Sequence, residues 1–211
     1  MDLVGYSEIV RMIQAGARRI RLDHANLSRL DSAIGDGDHG SAMLRAMEAA
    51  EKAVRQAGRT DAGGLLQEIG WGVMSAAGGA TGPLLGSFFV GLGEGVVGDG
   101  LDCRGVAAMF EAALANVRKQ TPAKVGDKTV IDALVPAVEA LRAAADAGAG
   151  VGEAVKQAAD AAAKGAEATR NMRARLGRAR NLGERTVGHV DPGAASMAAL
   201  FLGFAEGLAP G

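Results

Sequence analysis

The chain has 211 residues, 48% of them hydrophobic and 22% charged, with a formal net charge of -1. That balance excludes disorder as the main state and a globally basic nucleic-acid binder, and it suits one domain over residues 1–211. A lone cysteine, Cys103, excludes an intramolecular disulfide and a cysteine zinc site. With no uninterrupted apolar run of ~18 residues and no basic-then-apolar signal after Met1, a cytoplasmic protein without membrane contact is expected.

Apolar residues recur at helical spacing along the chain. Ile9, Ile13, Ala17, Ile20, Leu27 and Leu30 stripe a first helix near 5–30. Met43, Ala46, Met47, Ala50 and Val54 predict a second near 39–57. Leu65, Leu66, Ile69, Val73 and Met74 mark a third, and Leu84, Leu85, Phe88, Phe89 and Leu92 a fourth. A fifth is expected near 102–119 and a sixth near 129–146. Residues 150–180, rich in alanine with Lys and Glu interspersed, have the composition of a seventh. Met197, Leu200, Phe201 and Phe204 mark an eighth after Pro192. No segment alternates with period two, so the expectation is all-α. Gly70, Gly72, Gly86, Gly91 and Gly93 weaken the third and fourth helices by about 1 kcal/mol each relative to alanine. Aromatic residues are only 3% and glycines number 32. The core must therefore come from Ala, Val, Leu, Ile and Met, and small residues let helices approach closely.

In an antiparallel up-down bundle the odd-to-even connections all fall at one end. These connections, 31–40, 78–83, 121–129 and 177–193, hold the unusual residues. Those near 58–62, 97–101 and 147–150 are short and carry no such constellation.

Asp31, Asp36 and Asp38 fall within eight residues, with Gly35, Gly37 and Gly40 interleaved. Carboxylates this close repel unless a cation or hydrogen-bond donors hold them, and hard oxygen ligands suit Mg²⁺, Ca²⁺ or Mn²⁺. The competing reading is a solvated turn with Asp38 capping the second helix. The stretch also satisfies GxGxxG, but a helix precedes it where the dinucleotide fold requires a strand. Counted from Asp36 as an EF-hand, the sixth residue is Ser41 and the twelfth Met47, so that reading fails too. Gly78-Gly79-Ala80-Thr81-Gly82 opens the fourth helix as an anion site, as a Thr81 N-cap followed by Pro83, or as both. Gly126-Asp127-Lys128-Thr129 lacks the glycine directly before lysine of a Walker loop. Arg170, Arg173, Arg175, Arg178, Arg180 and Arg185 suit phosphate, a solvated helix face or an acidic partner. Asp191-Pro192-Gly193 reads as a cap with proline in the first turn, or as a ligand contact. His24 is expected on the first helix without a role, while His39 and His189 lie in the connections. Metal ligands, glycine-rich helix starts and arginines together are the inventory of phosphoryl transfer.

Four motifs in order resemble the nucleotide-binding (L) subunit of dihydroxyacetone kinase. They are Leu30-Asp31-Ser32 with Ile34 to Gly40, Gly78 to Leu84, Gly126 to Thr129, and Leu182 to Arg185 with Gly188 to Ala194. The resemblance spans nearly the whole chain. It implies an eight-helix antiparallel up-down barrel with ADP or ATP at one end and two Mg²⁺ ions held by Asp31, Asp36 and Asp38. Nucleotide contacts would fall on His39, Gly40, Ser41, Ala42, Ala80, Thr81, Thr121, Val130, Arg178, Asp191, Pro192 and Gly193. Thr121 stands where the family often has glycine, and Thr81 where serine is common. The implied role is the phosphoryl-donor half of a short-ketose kinase, whose partner subunit holds the ketose. In some relatives a phosphohistidine protein of the phosphotransferase system rephosphorylates bound ADP, and in others free ATP exchanges. One alternative is a fatty-acid-kinase-like nucleotide-binding domain, which usually has Asp-Gly-Asp-Thr where this chain has Asp36-Gly37-Asp38-His39. A nucleotide-loaded regulatory module that docks a transcription factor is another.

Overall fold

The computed structural model describes residues 3–58 and 61–209; Met1, Asp2 and residues 59 and 60 of the connection expected near 58–62 lie outside them. Eight α-helices follow one another: α1 (Tyr6–Ile34), α2 (His39–Gln56), α3 (Ala62–Ala76), α4 (Thr81–Glu94), α5 (Cys103–Gln120), α6 (Ile131–Asp146), α7 (Val151–Ala168) and α8 (Pro192–Leu208). Among the described residues the only β pairing is an isolated antiparallel bridge between Val4 and Leu101. Each helix packs on its neighbours in sequence and α8 returns to α1, closing a ring. No helix of the described residues is long and apolar enough to cross a membrane.

All five phenylalanines meet inside this ring. Phe88 and Phe89 of α4, Phe110 of α5 and Phe201 and Phe204 of α8 are almost fully buried. Their ring centroids lie 5.2–6.4 Å apart in the linked pairs Phe110–Phe201, Phe88–Phe89 and Phe88–Phe204. Alanine and branched aliphatic side chains fill the rest of one continuous core.

Of the glycines that weaken α3 and α4 intrinsically, Gly70, Gly86 and Gly93 lie where the two helices touch, while Gly91 packs on α5. A Cβ on Gly70 would lie 2.7 Å from the Gly86 carbonyl oxygen, and one on Gly86 would lie 2.8 Å from that of Gly70. Neither distance is tolerable for carbon against backbone oxygen, so close packing between the helices offsets the local propensity cost.

Two helix ends differ from expectation. α1 continues to Ile34, so Asp31 stands on its last turn and not in a loop. α7 stops at Ala168, twelve residues short of the expected end, and a 3₁₀ turn, Thr169–Asn171, follows. Tertiary partners bond the carbonyls of this turn: Lys128 Nζ donates to Thr169 O at 2.6 Å, and Gly188 N donates to Arg170 O at 2.7 Å.

A candidate nucleotide and metal site at one end of the helix ring

The four odd-to-even connections converge on one cavity of ≈480 Å³, a size usual for small-ligand sites. Asp31, Asp36, Asp38 and His39 line it from the first connection, and Gly78 to Thr81 from the second. Thr121 and Lys128 to Val130 come from the third, and Arg178 with Asp191 to Gly193 from the fourth. Met43, Leu84, Leu85, Val117, Met197 and Leu200 form apolar wall between them.

One oxygen from each of Asp31, Asp36 and Asp38 lies within 4.8 Å of the others. Gly37 makes this approach with a left-handed φ of 80°, and a Cβ there would strike Ser32 Oγ at 2.5 Å. Asp38 precedes α2 without bonding its free N–H groups, so the capping reading of that carboxylate fails. Asp31 Oδ2 accepts from His39 N at 3.2 Å. Asp36 pairs with Arg178 at the rim. An all-oxygen set with this spacing fits a hard divalent cation such as Mg²⁺.

His39 is the first residue of α2, and its ring is held on both sides. Ser196 Oγ donates to Gly193 O at 3.0 Å, so it accepts from His39 Nε2–H at 2.9 Å. That leaves Nδ1 as an acceptor facing the Thr81 hydroxyl at 3.4 Å. Burial pushes the imidazole below its usual value, against the pull of Asp31, Asp38 and the Pro192 carbonyl. Thr81 is therefore not the cap of α4. It is the first helical residue, preceded by Ala80, and its hydroxyl faces His39.

Asp191 does cap α8, accepting from Ala194 N at 2.8 Å with Pro192 in the first turn. Burial raises its carboxyl from 3.8 to about 7, while the Ala194 N–H and the Lys128 charge restrain the rise. The unfolded chain ionises this group near 3.8 and the folded chain near 7, so its contribution to stability falls as pH rises between those values. Asn at this position keeps a cap acceptor and cannot ionise. The melting temperature of Asp191→Asn relative to wild type, without ligand, is expected to be more favourable at pH 8 than at pH 5. Parallel pH profiles for the two proteins would contradict the assignment.

Gly40, Ser41 and Ala42 do not line the cavity. Gly40 is packed on α1, where a Cβ would lie 2.1 Å from His24 O, and Ala42 is buried. Thr121 has extended backbone, φ -146° and ψ 139°, which any residue adopts, so glycine is not required there. Of the six clustered arginines only Arg178 lines the cavity. Arg173, Arg175 and Arg180 line a separate groove of ≈580 Å³. Arg173 pairs with Glu184 at 3.2 Å and Arg175 with Asp127 at 3.7 Å, and Arg170 pairs with Glu167. His189 lies outside the cavity, and its carbonyl accepts from Lys128. His24 bonds only within α1, to Arg21 O at 2.7 Å. Sequence reasoning missed Ser196 and Lys128 as site residues. No local signal marks Ser196, while Lys128 lay in a noted motif whose burial was not apparent.

A family model described as the DAK2 domain matches residues 33–206. The "PEP-dependent dihydroxyacetone kinase 1, ADP-binding subunit DhaL" of Listeria innocua is 36% identical over 91% of this chain and 91% of that protein. The ADP-binding subunit of the same name, without the numeral, from Escherichia coli is 37% identical over 81% of this chain and 82% of its own length. The crystal structure of the dihydroxyacetone kinase from C. freundii in complex with AMP-PNP and Mg²⁺ superposes with a TM-score of 0.71 at 28% identity. The match covers 92% of this chain but 33% of that one, so the chain spans about a third of the solved protein.

Proposed function

The chain belongs to the DAK2-domain family, and from that premise we propose that it is the ADP- or ATP-binding phosphoryl-donor subunit of a dihydroxyacetone-type kinase. The observation that carries this reading is the convergence of four connections on one cavity with three carboxylates at its edge. Asp31, Asp36 and Asp38 would hold Mg²⁺, which shields the phosphates and polarises the transferring group when bound. His39, Ala80, Thr81, Thr121, Val130, Arg178 and Asp191-Pro192-Gly193 would contact the nucleotide from the cavity wall. Gly40, Ser41 and Ala42 lie behind the cavity wall in the first turn of α2, where the amides of Gly40 and Ser41 would favour an anion while Ala42 N donates to Asp38 O at 2.9 Å. Arg178 would swing from Asp36 to phosphate oxygens, supplying a fork of N–H donors.

The ketose would be held by a separate kinase subunit, a reading supported by relatives named as the ADP-binding subunit of such a kinase. A phosphohistidine protein of the phosphotransferase system would recharge bound ADP, a reading supported by a Lactococcus lactis relative named as "PTS-dependent" and 34% identical over 87% of this chain. The names of these relatives do not favour the fatty-acid-kinase or transcription-factor readings. Binding to the folded state alone must stabilise it by about 2.7 kcal/mol at a hundredfold excess over Kd. For a chain of this length that is roughly 5–10 °C in melting temperature. ADP with Mg²⁺ is expected to produce that shift and ADP with a chelator is not. Equal shifts in the two conditions would refute metal-mediated binding.

A further inference from the structure

We propose that Lys128 is the positioning residue of the nucleotide site, its buried ammonium fastening the third connection to the fourth so that Thr129-Val130 and Asp191-Pro192-Gly193 face the cavity together. This rests on the nucleotide reading of that cavity. Lys128 is only 2% exposed, and lysine is almost never so buried unless paired. Its ammonium donates to Thr169 O at 2.6 Å and to His189 O, the one just after α7 and the other just before α8. Asp191 and Asp132 supply the opposing charge, with Arg170 acting against them.

The surrounding geometry serves this reach. The Asp132 carboxylate, 1% exposed, accepts from Gly126 N at 2.6 Å and Thr129 N at 2.7 Å, winding the turn around itself. Within that turn Lys128 has φ 62°, the only left-handed residue other than glycine among those described. A lysine held there costs free energy that a glycine would not, and the bonds of its ammonium to two carbonyls offset that cost. Thr169, whose carbonyl Lys128 grips, also accepts from Asp191 N through Oγ1 at 2.8 Å. The two walls then meet: a Cβ on Gly193 would lie 3.6 Å from Val130 N.

Lys128→Gly separates side chain from backbone, because glycine takes the left-handed φ freely while the whole side chain, stem and ammonium, is lost. Lys128→Met serves as a second variant if the glycine protein does not fold. Calorimetry with ADP and Mg²⁺ is expected to show Kd raised about 10- to 100-fold, as for other residues that orient a site's direct contacts. Amide exchange without ligand is expected to quicken at Asp191, Gly193 and Ala194 while α1 to α4 keep wild-type rates. Wild-type affinity in the variant overturns the proposal, as does weakened affinity with exchange quickened uniformly, which marks a merely structural residue. If wild-type protein itself fails to bind ADP, the nucleotide reading falls. The exchange rates then decide the clamp alone: local quickening supports it and unchanged rates overturn it.

Discussion

Asp36→Asn is expected to abolish Mg²⁺-dependent ADP binding while leaving the helical content of the protein intact. The carboxylate contributes little to the fold. Its one ion-pair partner is Arg178, and the two side chains are 49% and 67% exposed. Pairs this exposed are worth about 0–1 kcal/mol. In the cation site its weight is different, because three carboxylate oxygens within 4.8 Å would have to balance the metal charge between them. Asn removes one of those charges and keeps the shape. Asp38→Asn separates this from the lost arginine contact, since the Asp38 side chain makes no capping bond and should lose binding equally. Asp31→Asn is a poorer probe, because Asp31 also accepts from the first amide of α2. Calorimetry that returned wild-type ADP affinity for both Asp36→Asn and Asp38→Asn would remove the metal site from the account.

The second large effect is on turnover. Arg178→Ala is expected to slow phosphoryl transfer by about 10²- to 10³-fold with the ketose-binding subunit saturating, the loss typical of one preorganised donor to developing charge. Arg170→Ala is the contrast. Arg170 lies outside the cavity, is paired with Glu167 and donates to Gly188 O at 3.1 Å, so its loss should act through the fourth connection and the partner surface. The assay follows transfer to dihydroxyacetone with the ketose-binding subunit present and either ATP or a phosphohistidine protein as donor. Failure of the wild type to transfer phosphate with either donor would end the kinase reading. Normal turnover in Arg178→Ala would reduce that side chain to a rim partner of Asp36.

Much of the site was legible in the sequence because its parts are local. Three aspartates with interleaved glycines within eight residues need no tertiary contact to be read as a cation site. The Asp191-Pro192 start of α8 was legible for the same reason, since a cap and its acceptor amide are three residues apart. Thr81 misled: a hydroxyl before Pro83 reads as a cap, yet the hydroxyl faces His39, which is 42 residues away. The arginine run misled in another way. It reads as one feature, but Asp36, Asp127, Glu167 and Glu184 divide it among different places.

The sequence by itself determined the eight amphipathic helices, their up-down order and hence which four connections share an end, because helical periodicity and chain reversal are short-range properties. Tertiary structure alone decided the contacts that depend on carbonyls and hydroxyls distant in the chain. The chain leaves α7 at Ala168 into a turn whose carbonyls are bonded by Lys128 and Gly188, residues 41 and 18 positions away. The orientation of His39 depends on Ser196, 157 residues away. A lysine in a polar turn reads as solvated. Lys128 is buried because two carbonyls from the connection between α7 and α8 replace its water, and no pattern within the turn encodes their arrival.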